Sequence, residues 1–339
     1  MVAAAVQLNN WFLLLFTGLL LVSSSYAIHY IEPETFESSW KGFWWVMTTV
    51  TTVGYGDYSP VTKAGQGVAI FLYIVGIGLI GVVIGKVVDA FGSYKRKKEE
   101  GRLKFRGSDH YVVIGWSEKA KDAMKELMSS NHDAEIVLID MLEKSPMSGV
   151  RYHYIQGEPT DEEVLTQANI ADSKAIMVFS PPQVEDPVLA DGRTLLIATA
   201  IEHYGVQHGV DVYTVVEVMK ENHVNNFRHA KVDDFILSNQ MTSNLMAKAS
   251  QFQGSSRLFQ QLLRTQHGDD LYLFPKHPKW ETYQHAHDFF LSQGANLVAD
   301  REDFGVIRRM HEPLPAEAQL FIICDYKTYK QTEENYQSL

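Results

Sequence analysis

The chain has 339 residues, a net charge of −11 and one cysteine. An acidic balance repels a phosphate backbone and argues against a nucleic-acid partner, and a single thiol, Cys324, excludes an intrachain disulfide or a site built from several thiolates. Charge and apolarity are unevenly placed. Residues 1–108 hold 10 Lys/Arg against 7 Asp/Glu and contain the long apolar runs, whereas the remainder holds 20 against 34. A length of this order fits two or three units, with an apolar module over 1–91, a basic linker over 92–108, an α/β region over 109–253 and a small α+β region over 254–339.

The first predicted element is an apolar, uncharged helix from about Val2 to Ile28, long enough to cross a bilayer. No Lys or Arg precedes Lys41, so the positive flank of a secretory signal is missing. Glu32, Glu34 and Glu37 follow on a short loop, which is either a plain solvated turn or, in several copies, a ring at a mouth that focuses cations. Trp40–Thr51 reads as a short amphipathic helix, and its negative dipole end would favour a cation.

Thr51-Thr52-Val53-Gly54-Tyr55-Gly56-Asp57 comes next. Glycine tolerates positive φ, so Gly54 and Gly56, alternating with Val53 and Tyr55, allow successive carbonyls to face one axis. Together with Trp44 and Trp45, the stretch Thr48–Asp57 resembles the potassium-channel pore family, whose filter carbonyls replace the hydration shell of K⁺. The resemblance implies K⁺ at Thr52, Val53, Gly54 and Tyr55, a filter continuing through Gly56, and support from Trp44, Trp45 and Asp57. It also implies a homotetramer.

A second span is expected from Ala64 to about Phe91. Gly76 lies at the position of the pore family's gating hinge, although close helix packing explains such a glycine equally well. Helical spacing continues from it to Ile77, Gly81, Ile84 and Val88 as pore-lining candidates. The basic cluster Lys95–Lys98, with Arg102, Lys104 and Arg106, places both termini in the cytoplasm by the positive-inside rule, and membrane lipids are its natural contacts. No arginine-repeat helix, and so no voltage sensor, is present in the sequence.

From Asp109, short β-branched runs at Tyr111–Gly115, Glu135–Asp140, Arg151–Gln156, Lys174–Phe179, Val212–Val218 and Asp234–Ser238 alternate with helical segments such as Glu118–Met128 and Val188–Tyr204. That alternation is a doubly wound α/β pattern. Ile114-Gly115-Trp116-Ser117-Glu118, Ile139-Asp140, Gly157-Glu158-Pro159-Thr160 and Val216-Glu217-Val218 resemble the regulator of K⁺ conductance (RCK) module. The expected fold is therefore a two-span α-helical membrane pore joined to a Rossmann-like RCK domain, with a small α+β C-terminal subdomain. Gln240–Gln253 is expected as a helix crossing to a neighbouring subunit.

Gly115, Ser117, Asp140, Glu158 and Glu217 are the candidate regulatory ligand residues. A dinucleotide loop would carry glycine where Ser117 stands, and Asp140 closes the second strand, where an acidic residue meets ribose hydroxyls. Relatives in the family answer to Ca²⁺, nucleotides or other ligands. Ca²⁺ needs several oxygens, and Thr214–Val218 offers only Glu217, so nucleotide and divalent cation both stay open. His285 and His287 are too few for zinc. The function implied is a ligand-gated K⁺ channel of the inner membrane with no catalytic residues, in some relatives joined by extra soluble RCK copies; Met124, the next methionine, falls inside the first α/β helix. A K⁺ transporter subunit would want four filter segments in one chain. A membrane-anchored NAD(P)-dependent oxidoreductase would leave the filter unexplained.

Overall fold

The computed structural model describes residues 10–264 and 268–339. Contacts divide the chain into two compact units, 1–97 and 98–339. In the first, α1 (Asn10–Ile31) leads to α2 (Ser39–Val50), which is capped by Ser38 accepting from Lys41 N at 3.3 Å. The stretch before Asn10 assigned to the first helix lies outside the described residues. After the filter segment, Thr62 caps α3 (Lys63–Glu99), accepting from Gly65 N at 3.0 Å. Helices α1 and α3 are long and apolar enough to cross a membrane. Ile28, Phe36, Trp45, Val46, Val50, Ala69 and Leu72 form the buried core that holds α2 between them.

Two features of α3 depart from expectation. It does not stop near Phe91 but runs to Glu99. Lys, Arg and Glu are good helix formers, and the first residue that breaks the run is Gly101 at φ +66°, whose amide donates back to Lys98 O at 3.2 Å. The helix is also interrupted by one π-turn, Leu72–Gly76, where Ile77 N–H reaches back to Leu72 O.

The second unit opens with β1 (His110–Ile114), α4 (Glu118–Ser130), β2 (Ile136–Asp140) and β3 (Tyr152–Gln156). After α5 (Glu162–Gln167) come β4 (Ser173–Val178), α6 (Pro187–His208), β5 (Thr214–Val218), α7 (Val224–His229) and β6 (Asp234–Leu237). All six strands are parallel in the order β3-β2-β1-β4-β5-β6, so the reversal of direction lies between β1 and β4. Alternate residues serve opposite faces: Val112, Ile114, Ile139 and Ile176 join one core, Val113, Leu138, Tyr152 and Tyr154 the other.

The chain continues through α8 (Ser238–Gln251) and α9 (Ser255–Leu262), the former replacing the helix expected over 240–253. Then β7 (Asp269–Pro275), α10 (Tyr283–Ser292), β8 (Asn296–Asp300), β9 (Gln319–Asp325) and α11 (Tyr326–Ser338) form a small antiparallel sheet, β7-β9-β8, with helices on it. Cys324 is 2% exposed in the core beneath; burial pushes its thiol up to about 11, as befits a packing residue.

Candidate functional site

Positive φ occurs at alternate residues of the filter segment: Thr52 (+63°), Gly54 (+52°) and Gly56 (+76°). In an extended chain successive carbonyls point to opposite sides; alternating left-handed and right-handed residues turns them to the same side. Thr52 bears this without being glycine, at a cost on the order of 1–2 kcal/mol. Two backbone bonds hold it there, Thr52 N to Thr49 O and Gly54 N to Thr48 O, each 3.0 Å.

Trp44 Nε1 donates to Asp57 Oδ2 at 2.8 Å, and its indole stacks on Tyr55 at 5.9 Å with the planes 5° apart. Trp44 thus ties Asp57 to the ring of Tyr55 within the chain. Trp45 does not share that task within the chain: it turns to Phe36, 5.3 Å away, and is 5% exposed. Glu32 is likewise no part of an acidic ring. It is 3% exposed and accepts from Val61 N (3.0 Å), Thr62 N (2.7 Å) and Thr62 Oγ1 (2.5 Å). The end of α1 is thereby tied to the start of α3. Glu37 is exposed but paired with Lys41 at 2.7 Å, and Glu34 is exposed to solvent.

Gly76 packs on the last residue of α2, where a Cβ would lie 2.8 Å from Val50 Cγ2. Ile77, Gly81, Ile84 and Val88 all follow the π-turn within one uninterrupted α-helical stretch, so they keep a common face.

In the second unit, Gly115 and Asp140 line a cleft of about 250 Å³ at the carboxyl ends of β1 and β2, with Trp116, Met141, Pro159 and Arg193 among its walls. This is where open α/β sheets take ligands. Gly115 sits at φ +90°, a conformation L side chains rarely adopt, and a Cβ would also meet Phe179 O at 3.1 Å. Asp140 is held by two amides, Trp116 N on Oδ2 (2.6 Å) and Leu142 N on Oδ1 (3.2 Å). Each oxygen keeps a lone pair for a hydroxyl donor. Ser117 Oγ caps α4 by accepting from Ala120 N at 3.1 Å, so part of the helix-end amide set that cradles a pyrophosphate is already used. Glu158 stands beside Arg193 at 3.8 Å, a loose pair that leaves the guanidinium open to an anion.

Glu217 is not brought to this cleft. It is 6% exposed, bonds Lys119 Nζ with Oε1 and accepts from Ser180 N at 3.0 Å with Oε2. Asp191, which sequence reasoning passed over, is similarly occupied by Met219 N, Lys220 N and His223 Nδ1. Among the described residues no three His, Cys, Asp or Glu side chains gather as a metal site. Arg193 was missed as well; its place in α6, in line with the end of β4, was the available signal.

Residues 12–93 match the model of the ion channel family and residues 111–238 that of the TrkA-N domain. The chain is 30% identical over 220 residues to the putative potassium channel protein YugO of Bacillus subtilis, covering 65% of each chain. It is 26% identical over 226 residues to the calcium-gated potassium channel TvoK of Thermoplasma volcanium, covering 65% of this chain and 62% of that one. The matched stretch thus spans just under two thirds of these relatives. A solved structure of the GsuK channel bound to NAD aligns over 94% of this chain and 57% of its own, at 14% identity and a TM-score of 0.48.

Proposed function

We propose, for a chain that carries an ion-channel domain followed by a TrkA-N domain, that it is the subunit of a K⁺-selective membrane channel opened or closed by a ligand of its α/β unit. The observation that carries the reading is the filter, with left-handed φ at Thr52, Gly54 and Gly56 and the Trp44–Asp57 brace behind it. Four such segments around one axis would offer rings of carbonyl oxygens from Thr52 to Tyr55 in place of water. Conduction is passive, and no catalytic step is required. The basic run after the second span supports cytoplasmic placement of the α/β unit and both termini, next to lipid headgroups.

A nucleotide is the ligand class that the cleft fits best. Asp140, fixed by two amides, can take a ribose hydroxyl, and Arg193 supplies the charge for a phosphate. Glu217 would have to give up Lys119 before it served a cation, which ranks a divalent ion lower. Association with additional soluble RCK copies is compatible with the module.

The test is K⁺ flux through purified protein in liposomes, with Na⁺ substituted for K⁺ and with ADP or NAD⁺ added on the α/β side. Flux that is K⁺-dependent, and altered by a nucleotide, is expected. Equal flux of Na⁺ and K⁺ would sink the channel reading; K⁺ flux indifferent to nucleotides, with no nucleotide binding, would sink the ligand assignment alone.

A further inference from the structure

The loop 141–151 that follows Asp140 starts in the cleft and, within five residues, meets the chain leaving α3. At the cleft end, Met141 and Leu142 are wall residues, and Leu142 N is the longer of Asp140's two bonds. Further along, Ser145 N donates to the carbonyl of Glu99, the last residue of α3, at 2.7 Å. Tyr154 on β3 joins the two. Its hydroxyl reaches both Asp140 O (3.0 Å) and Leu142 O (2.6 Å). Its ring lies where α3 gives way to the next segment, and a methyl on Gly101 would come within 2.8 Å of Tyr154 Cδ1. Gly101 O in turn accepts from Gln156 N at 3.0 Å, two residues on along the same strand. Tyr154 is 2% exposed, and Leu142, Met147 and Trp116 pack on the core to which it belongs. All these contacts lie within residues 98–339.

We infer that Tyr154 is a positioning residue that couples occupancy of the cleft to the exit of α3, through Leu142 and Ser145. The inference rests on the nucleotide reading of the cleft. A ribose hydroxyl that takes the remaining lone pair of Asp140 Oδ1 shares that oxygen with Leu142 N, the longer-bonded of the two amides, and draws the carboxylate away from it. Once Leu142 shifts, its carbonyl can no longer hold the Tyr154 hydroxyl in the same place, and Ser145 lies three residues further along. Coupling of this kind needs a contiguous set of groups with two arrangements, and a packed core moves between discrete arrangements more readily than it deforms continuously. Burial holds the Tyr154 hydroxyl well above its ordinary range, with Asp140 adding to the effect, so it stays a donor at every working pH.

The test uses the full-length channel in liposomes, with ADP and NAD⁺ as probes, in wild type, Tyr154→Phe and Ser145→Pro. The Phe variant loses only the hydroxyl; the Pro variant loses the N–H that holds Glu99. Binding is read by Trp116 fluorescence against a Trp116→Phe control, and response by flux. Expected is probe affinity within about threefold of wild type in both variants, with the flux response, about 5–150-fold for coupled sites, reduced to less than about twofold. A full response in Tyr154→Phe overturns the inference, and so does loss of binding equal to loss of response, which would make Tyr154 part of the ligand site. If wild type binds neither probe, the nucleotide reading fails, and hydrogen exchange decides the coupling. Faster exchange in Tyr154→Phe at 141–147 together with 99–104 supports it; faster exchange confined to 141–147 overturns it.

Discussion

Replacing Glu32 tests whether the pore loop is held by the clamp seen at the end of α1. Its carboxylate takes two amides and a hydroxyl from Val61 and Thr62 in a site where the residue is 3% exposed. In Glu32→Gln, one oxygen can still serve Thr62, but the amide NH₂ then faces the Val61 N–H, donor against donor. One unsatisfied buried donor costs about 1–3 kcal/mol, and replacing charged by neutral acceptors weakens the other bonds by about 1 kcal/mol. Together that is about 2–4 kcal/mol per subunit. Glu32→Ala strands both amides, for about 2–6 kcal/mol, and removes the acceptor of the Thr62 hydroxyl as well. The assay is the temperature at which reconstituted channels lose K⁺ flux, with Gln expected between wild type and Ala. The proton provides an independent arm. Burial raises the Glu32 pKa, but the bonds from Thr62 and Val61 outweigh it and leave the group below its ordinary value. The stabilisation is therefore present above the unfolded value of about 4.3 and is lost as pH falls toward the depressed folded one. The difference between wild type and the Gln variant should therefore shrink with acid, the slope common to both cancelling in the comparison. Equal heat resistance of all three proteins would refute the clamp.

Four further outcomes follow from the α/β unit and from α3. Asp140→Ala should lower the thermal midpoint of the whole chain as well as nucleotide affinity, because Trp116 N and Leu142 N lose their acceptor at about 1–3 kcal/mol each; Asp140→Asn, keeping one acceptor, should lose about half as much, and a stability equal to wild type in the Ala variant counts against the geometry. Lys119→Met should destabilise more than Glu217→Gln in urea titrations, since the first leaves a buried carboxylate without its cation and the second leaves a solvated ammonium; the reverse order would contradict the pairing. His110 and His153 both titrate below the ordinary value, chiefly through burial, with Glu135 opposing the shift at both, Asp172 and Asp109 opposing it at His110, and Lys98 reinforcing it at His153. Because the unfolded chain binds those protons first, stability should fall as pH drops below about 6.5, and the double change to Gln should flatten that slope in pH-dependent unfolding. Gly76→Ala should displace Val50, against which its new methyl would press, and reduce maximal K⁺ flux even where ligand binding is unchanged; unaltered flux would remove Gly76 from the gate.

The six parallel strands were legible to within about two residues because each is a short β-branched run bounded by turn residues, a local signal. The left-handed turns at Gly54 and Gly56 were legible because glycine tolerates positive φ, whereas that of Thr52 depends on bonds to the preceding helix. What could not be read depends on partners far along the chain. Glu217 looks like a free ligand until Lys119, 98 positions away, is found on its carboxylate. Glu32 looks like a surface acid until the loop at Val61 folds over it. The run to Glu99 was assigned to a linker because its charges end the apolar pattern, whereas helix propensity continues through them to Gly101.

The π-turn explains how α3 keeps one buried face turned to the core of the first unit over so long a stretch. Gly65, Ala69, Leu72 and Gly76 are its buried residues, and Ile80 packs against the same core. At 100° per residue, the fifteen steps from Gly65 to Ile80 would end about 60° past the starting direction. A wider turn at Leu72–Gly76 takes up that drift, since an i→i+5 bond spreads one revolution over more residues. The correction falls where Gly76 touches Val50, immediately before the cap of α2 at Thr51 and the filter beyond it. The close approach of Gly76 to Val50 and the π-turn thus coincide at one residue. The glycine is small because α2 ends against it, and the helix is wound differently at that same point, so a methyl at residue 76 would meet both the end of α2 and the one wide turn of α3.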